Sequence, residues 1–315
     1  MDNYNDVKTG LRQLNLVISV NGTRNNRDED SYSYCFDDKG GFIAVFDGYG
    51  ESSSAPYERL GNKTGGYVAS RLAATITHQM FRNGNFTFSE MDSIKLSSDL
   101  KKYIEKLKKS VNTDPDNRIL LPTTASIIAC DYSRQDEIFL EYMWAGNSRG
   151  YFLDRSGLCQ ISEDDVVEKT EPIFPKKNPR VINLINGETE FKINSRMIKT
   201  YYPALIVTAT DGAFNCFATP MEFEYALLYT LNRAKTVTQW ESLLDRLVGE
   251  FATDDYSIMV AAFGFDDFKD LKHYYFERSK FVFNEYISHL PKESNEQSVG
   301  VIREMWEKYK EEYYR

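Results

Sequence analysis

Two Asp-Gly pairs, Asp47-Gly48 and Asp211-Gly212, each close an apolar run, FIAVF before the first and ALIVTAT before the second. One chemistry open to such a pair is purely conformational. Glycine accepts positive φ, so Asp-Gly is a favoured hairpin turn. The other is a carboxylate delivered to a cation by a buried strand. Glu29 and Asp30 in NRDEDSYSY and Asp254 in TDDYSIMVAAF share the context, at or beside the end of a strand-like segment. Hard divalent cations such as Mg²⁺ and Mn²⁺ take oxygen ligands and fill the remaining positions with water. Carboxylates projecting from neighbouring strand ends suit two ions that share one carboxylate, an arrangement able to activate water against a phosphate ester. The glycines would let a backbone carbonyl reach an ion with no side chain in the way. Spacing alone leaves both readings open, because periodicity cannot show that sequence-distant acids converge.

Composition narrows the chemistry to carboxylates. The 315 residues hold 47 Asp and Glu but three His, which disfavours histidine-based hydrolysis and histidine-rich metal sites. The four cysteines, Cys35, Cys130, Cys159 and Cys216, form no C-x-x-C pair and read as small buried residues rather than disulfides or zinc ligands. A net charge of −9 argues against nucleic acid and anionic lipid as partners. No apolar stretch approaches the ~20 residues that span a bilayer. The N-terminal MDNYNDVKTG lacks the regions of a signal peptide. A cytosolic protein without a membrane partner is expected.

The elements that must position the acids follow from hydrophobic period. LNLVISV and SYSYCF alternate as strands, and the turn DDKGG joins the second to FIAVF as a hairpin. Helical spacing predicts a helix from Gly65 with Val68, Leu72, Ile76 and Met80 in register, and another from Ser93 to Val111. Strands resume with TTASIIACD, DEIFLEYMWAG, GYFLD and LCQIS. After ALIVTATDG come a helix starting near Pro220 and another in VTQWESLLDRLVGEF, then a last strand, SIMVAAFGF. Strand blocks separated by helix pairs predict an α+β layered sandwich, not a doubly wound parallel sheet. Residues 1–265 form this unit. Residues 266–315 read as a helical extension, with Ile302, Met305, Trp306 and Tyr309 at helical spacing, packed on the sandwich or extending from it.

RDEDSY, FDGYG, TTAS, AGNSRGYF, ATDG and DDYS occur in the order and approximate spacing of the metal-dependent Ser/Thr protein phosphatases, the type 2C or PPM family. The chain resembles that family, bacterial members especially, over Leu14 to Phe265. The resemblance implies two packed antiparallel sheets flanked by helix pairs. It also implies hydrolysis of phosphoserine and phosphothreonine in proteins, the targets of a Ser/Thr kinase, by a water bridging two Mn²⁺ or Mg²⁺ ions. Asp47 would bridge the ions, Gly48 would offer its carbonyl, and Glu29, Asp211 and Asp254 would complete the ligand set, with Asp30 supporting them from behind.

The departures from the family pattern define two rival readings. The family's DGHG histidine is Tyr49, and Glu51 replaces the following glycine. Asn147 replaces the GDSR aspartate, which weakens any third ion site, and the final Asp-Asn is Asp254-Asp255. Asn25 occupies the usual position of the phosphate-gripping arginine, with Arg24 and Arg27 nearby; Arg24 is the candidate for substrate phosphate. A pseudophosphatase acting as a regulatory binding module is one rival, and a hydrolase of small phosphate esters the other. Thr123, Thr124, Ser148 and Arg149 read as structural supports, and Asp37-Asp38 and Asp164-Asp165 as exposed turns.

Overall fold

A computed structural model describes residues 14–24, 28–49, 56–84, 86–111, 119–133, 137–174, 179–201, 203–291 and 296–315. Two strands, β3 (Gly40–Phe46) and β10 (Tyr256–Phe263), show how it is layered. Successive side chains of a strand point to opposite faces, and here both faces are apolar. In β3, Phe42, Ala44 and Phe46 enter one buried cluster while Ile43 and Val45 enter another. In β10, Ile258, Val260 and Ala262 enter a third, while Met259, Ala261 and Phe263 share the cluster of Ile43 and Val45. A strand covered on both faces reads as an unbroken apolar run, which is why FIAVF and SIMVAAF look alike.

One sheet runs β1 (Leu14–Gly22), β10, β9 (Ala204–Ala209), β6 (Arg149–Asp154), β7 (Gly157–Gln160). The other runs β2 (Ser31–Phe36), β3, β4 (Ala125–Asp131), β5 (Glu137–Ala145), β8 (Asn194–Tyr201). Every neighbouring pair is antiparallel. Ile43, Val45, Ile128, Tyr142, Ile206 and Met259 fill the space between the sheets. Helices α1 (Gly65–Arg82) and α2 (Met91–Val111) cover the outer face of the second sheet, burying Ala73, Ile76, Leu96 and Leu100. The one-turn α3 (Asp211–Phe214) follows β9, and α4 (Pro220–Arg233) and α5 (Val237–Phe251) cover the first sheet. Three of these helices start on a threonine whose hydroxyl accepts a backbone N–H of the first turn: Thr64, Thr219 and Thr236. The fold is the expected α+β, α-β-β-α sandwich.

β8 carries no strand signature in its sequence. It is a sheet edge whose Arg196, Met197, Lys199 and Tyr201 are exposed, so it lacks the apolar alternation that marks a covered strand.

Helices α6 (Phe268–Glu285) and α7 (Glu296–Tyr313) pack on the sandwich. Leu271, Tyr275, Val282, Trp306, Tyr309 and Tyr313 belong to the same buried cluster as Val207, Leu244 and Val260. A buried ionic knot ties them together. Arg278 of α6 donates from Nε to Glu224 Oε1 of α4 (2.7 Å) and from Nη2 to Glu312 Oε2 of α7 (2.7 Å), and the Tyr309 hydroxyl donates to Glu224. Among the described residues no helix is long and apolar enough to cross a membrane.

Breaking one partner of a buried ion pair leaves the other charge uncompensated. Arg278→Met is therefore expected to cost about 3–5 kcal/mol, read as a lower urea midpoint. Truncation after Phe265 strips the cover from the α4 and α5 layer, and the shortened chain is expected to be insoluble. A soluble truncation with a cooperative unfolding transition would show instead that the sandwich folds without α6 and α7.

Candidate metal centre

Strand register brings the predicted acids to one end of the sandwich. Ser31 at the start of β2 faces Phe46 at the end of β3, and Arg149 at the start of β6 faces Ala209 at the end of β9. Ala209 also pairs with Ile258 near the start of β10. Glu29 and Asp30 therefore precede β2, Asp47 follows β3, Asp211 lies just beyond β9 and Asp254 just before β10, all at the same end. Both sheets contribute.

The two Asp-Gly pairs are not hairpin turns. Neither Gly48 nor Gly212 has positive φ, and the chain runs from each into the approach to a helix or into the helix itself. Close backbone approach demands glycine at both. A Cβ on Gly48 would stand 2.5 Å from the Glu29 carbonyl oxygen and 2.6 Å from the Gly66 carbonyl, and one on Gly212 would stand 2.0 Å from the Asp255 carbonyl oxygen. The pairs thus lock strand ends against neighbouring backbone.

Hydrogen bonds fix the acids individually. The Thr64 hydroxyl donates to Glu29 Oε1, and the Ser70 hydroxyl donates to the Glu29 carbonyl (2.6 Å), anchoring this residue to the first turns of α1. Asp255 accepts the backbone N–H groups of Glu29 (2.9 Å) and Arg24 (2.7 Å), so the extra acid of Asp254-Asp255 braces the loop that carries Glu29. The Asp47 carbonyl accepts from Thr124 N and the Thr123 hydroxyl, both at 2.8 Å. Thr124 and Ser148 hydroxyls are 2.6 Å apart. These threonines and Ser148 are supports, as expected. Thr210 donates to Asp30 Oδ2 (2.8 Å) and is itself held by the backbone N–H of Ser257.

Asp30 and Asp47 lie close enough for each to act on the other's charge. Burial, then the charges of Asp211, Asp30 and Asp254, hold Asp47 well above the usual carboxylate range. Burial, with the charges of Asp255 and Asp211 outweighing the Thr210 hydrogen bond, raises Asp30 to about 8. Asp211 is raised to about 6, by burial and Asp254 against the opposing Asn147 amide and Arg149 charge. This is a site short of positive charge. The Arg149 guanidinium is already forked onto Asp164 (Nη2 to Oδ2 2.7 Å) and lies 4.1 Å from the Phe214 ring centroid.

Asn147 is buried and donates to Asp211 Oδ2 at 2.9 Å, while its own Oδ1 is buried with no hydrogen-bond partner. Arg24 is exposed, with its guanidinium carbon 5.8 Å from the Tyr256 ring centroid, on the α5 side of the loop. Tyr49 is half-buried. Asn25, Arg27 and Glu51 lie outside the described residues. Asp164 and Asp165 are more than turns: Asp165 accepts from Gly146 N (3.1 Å) and from the amides of Asn183 (2.7 Å) and Asn194 (3.0 Å). Apart from the Gln160 amide, 3.4 Å from Asp164, their side-chain partners lie 15 to 29 residues away, too far for a local pattern to mark them. Beside Asn147 opens a cleft of about 730 Å³, walled by Glu163, Val167, Pro172, Arg180, Phe214 and Tyr314.

Among the described residues no three His, Cys, Asp or Glu side chains form a ready cage for one ion. Mg²⁺ and its like need none, since one or two carboxylates and several waters hold them. The all-oxygen donor set, the mutual crowding of Asp30, Asp47 and Asp211 and the orphaned Asn147 Oδ1 fit such ions. The sign of the pH effect follows. A carboxyl raised in the fold contributes stability below the ordinary value of 3.8 that is lost as pH rises through about 6 for Asp211 and about 8 for Asp30. A cation that takes the proton's place restores it. The rise in Tm on adding Mn²⁺ is expected to be larger at about pH 8 than at about pH 6 and to shrink in Asp47→Asn. Equal rises at both pH values would place the cation elsewhere.

Neither a protein-family model nor a curated protein matches the sequence. Solved structures do match in fold. PppA, described as a key regulatory component of T6SS in Pseudomonas aeruginosa, is 16% identical, with 79% of this chain and 97% of that chain covered and a TM-score of 0.54. The catalytic domain of the serine/threonine protein phosphatase PstP in complex with 2 manganese ions is 17% identical over 79% and 98% of the two chains, at 0.54. The serine/threonine phosphatase of S. agalactiae is 16% identical over 78% and 98%, also at 0.54. With its two antiparallel sheets, outer helix pairs and acids gathered at one sandwich end, the chain has the fold of the bacterial PPM-type serine/threonine phosphatases.

Proposed function

We propose that the protein is a Mn²⁺- or Mg²⁺-dependent phosphatase that hydrolyses phosphoserine and phosphothreonine in proteins. The observation that carries this reading is the meeting of Asp30, Asp47, Asp211 and Asp254, from both sheets, with so little compensating charge that Asp47 and Asp211 are both raised above the usual carboxylate range by burial and by their acidic neighbours. Asp47, Asp211, Asp254, Glu29 and the Gly48 carbonyl would hold the ions. Bound there, two divalent cations would lower the pKa of a water and screen the charge of a phosphate ester.

The chain's own groups would do the rest. Asp30, held by Thr210, would support Asp47 from behind. Asp255 and Thr64 keep Glu29 in place while the charges around it change. Tyr49, beside the centre in sequence, is a candidate to protonate the departing alkoxide, though its ordinary pKa near 10 makes it a poorer acid than histidinium. The adjoining cleft has room for a phosphorylated side chain with its flanking peptide. The substrates would be the phosphoproteins made by a Ser/Thr kinase, in the cytosol.

One observation favours a second reading. The Asn147 amide occupies Asp211 Oδ2, an oxygen the metal reading needs, where the family pattern has a carboxylate. A regulatory binding module that kept the fold and lost turnover would tolerate this.

Hydrolysis of a phosphothreonine peptide, titrated with Mn²⁺ and then with EDTA, separates the two. Expected are metal-dependent turnover, its abolition by chelation, and a fall of about 100-fold or more in Asp47→Asn with the fold retained. No turnover at millimolar Mn²⁺ from folded protein would favour the binding module. Turnover of free phosphate esters that exceeds turnover of the peptide would point to a small-molecule hydrolase.

A further inference from the structure

A second concavity, of about 690 Å³, lies between β2 and the exposed face of α1. It begins at Ser31, one residue beyond Asp30, and at Arg71, one residue beyond the Ser70 that is bonded to Glu29. It ends at Arg82 and Asn83 in the last turn and cap of α1. Arg71 to Arg82 spans roughly 16 Å of helix, the length of about five residues of extended chain.

Two independent features describe what would lie there. The first is the edge itself. β2 is the terminal strand of its sheet, and among the described residues nothing pairs with its outer side. Sheet edges are usually guarded by charge, proline or a bulge. β8, at the other end of the same sheet, carries Arg196 and Lys199. β2, by contrast, reads SYSYCF, without charge or proline, and its register against β3 is unbroken over six residues, Ser31 to Phe36. Tyr32 and Tyr34 stand exposed along it.

The second feature is charge. In a chain of net charge −9, the groove is lined by Arg71, His78 and Arg82 and by no Asp or Glu. Arg71 is paired with Asp28 (2.7 Å), and His78 Nδ1 lies 3.4 Å from the Ser33 hydroxyl. Arg82 is exposed and forms no ion pair with a described residue. Asp37 and Asp38 lie in the turn beyond β2, outside the lining.

We infer that this groove docks an acidic, extended segment of the phosphoprotein substrate, which adds as a strand to the free edge of β2 and meets Arg82 at its far end. Main-chain hydrogen bonds to an open edge supply affinity in such additions, and alternate side chains supply selectivity. Charge of the correct sign steers the segment to a cationic groove on an otherwise acidic surface. The inference rests on the phosphatase reading only in taking the segment to be a substrate's flank.

The test therefore starts without turnover. The probe is a fluorescein-labelled, unphosphorylated pentapeptide alternating Glu and Val, followed by anisotropy against metal-free full-length protein. Its Kd is expected to weaken at least about tenfold in Arg82→Glu and by a similar factor when alternate backbone nitrogens of the probe are methylated. A Lys/Val version is expected not to bind. Equal binding of the Glu and Lys probes, or binding indifferent to both Arg82→Glu and methylation, overturns the inference. In a second arm, a phosphothreonine peptide with the Glu/Val flank is expected to lose kcat/KM by a similar factor in Arg82→Glu, with p-nitrophenyl phosphate hydrolysis unchanged. Binding that behaves as expected in a protein that hydrolyses neither compound would sink the phosphatase reading and leave the acidic-peptide groove standing. An equal loss on both compounds would show that Arg82 acts on the fold or the centre and would overturn the docking role.

Discussion

Antiparallel pairing in both sheets leaves the acids no choice about where they meet, and their mutual repulsion is what every neighbouring element has to hold in check. Asp47 leaves β3 where β2 begins, and Asp211 follows β9 where β6 and β10 begin. A slip of one residue in any of these registers would turn a strand's core side chains to its opposite face. The apolar fit between the sheets therefore also fixes the positions of the charges. Burial, deepest at Asp30 and partial at Asp47 and Asp211, then amplifies the repulsion, because charges interact more strongly where water is excluded. The hydroxyls of Thr64 and Thr210 and the backbone N–H groups that Asp255 receives serve to hold charged groups still.

The departures around this centre act on charge more than on shape. Asn147 keeps the hydrogen bond to Asp211 that a protonated acid would make, but brings no negative charge. Asp255 adds charge, yet spends both its oxygens on backbone N–H groups of the Glu29 loop. Arg149 has its guanidinium committed to Asp164 and its face laid on Phe214, so it reaches Asp211 only as a distant field. Shape is preserved by glycine at 48 and 212, where backbones touch directly. The balance of charge has moved while the scaffold has stayed.

How much of this was legible in the sequence follows from how local each signal is. The apolar runs that end in Asp47 and Asp211 announced buried strands, because a strand covered on both faces has a signature in its own residues. β8 had none, being an exposed edge. The glycines of the Asp-Gly pairs were visible, but their reason was not: the neighbours that exclude a Cβ are Gly66 and Asp255, and the sequence does not say what folds against what. Asp164 and Asp165 looked like a turn for the same reason. The ordered set of short motifs pointed to the fold, since it encodes the relative order of strand ends, which no single motif does.

The cleft beside the centre is closed on one side by the last turn of α7, through Tyr313 bonded to Gln160 and Arg315 bonded to Asp154, pairs separated by 153 and 161 residues. Contacts of such long range must offset a large loop-closure entropy before they contribute anything, and the β1–β10 pairs, from Leu14 with Phe263 to Gly22 with Tyr256, span more chain still. The acids themselves are gathered by strand pairs and by the β1–β10 closure, without α7. The frame of the charged centre and the wall that shapes access to it thus hang on different closures, so a change in the final turn of helix reaches the mouth of the cleft without touching the strand pairs that gather the acids.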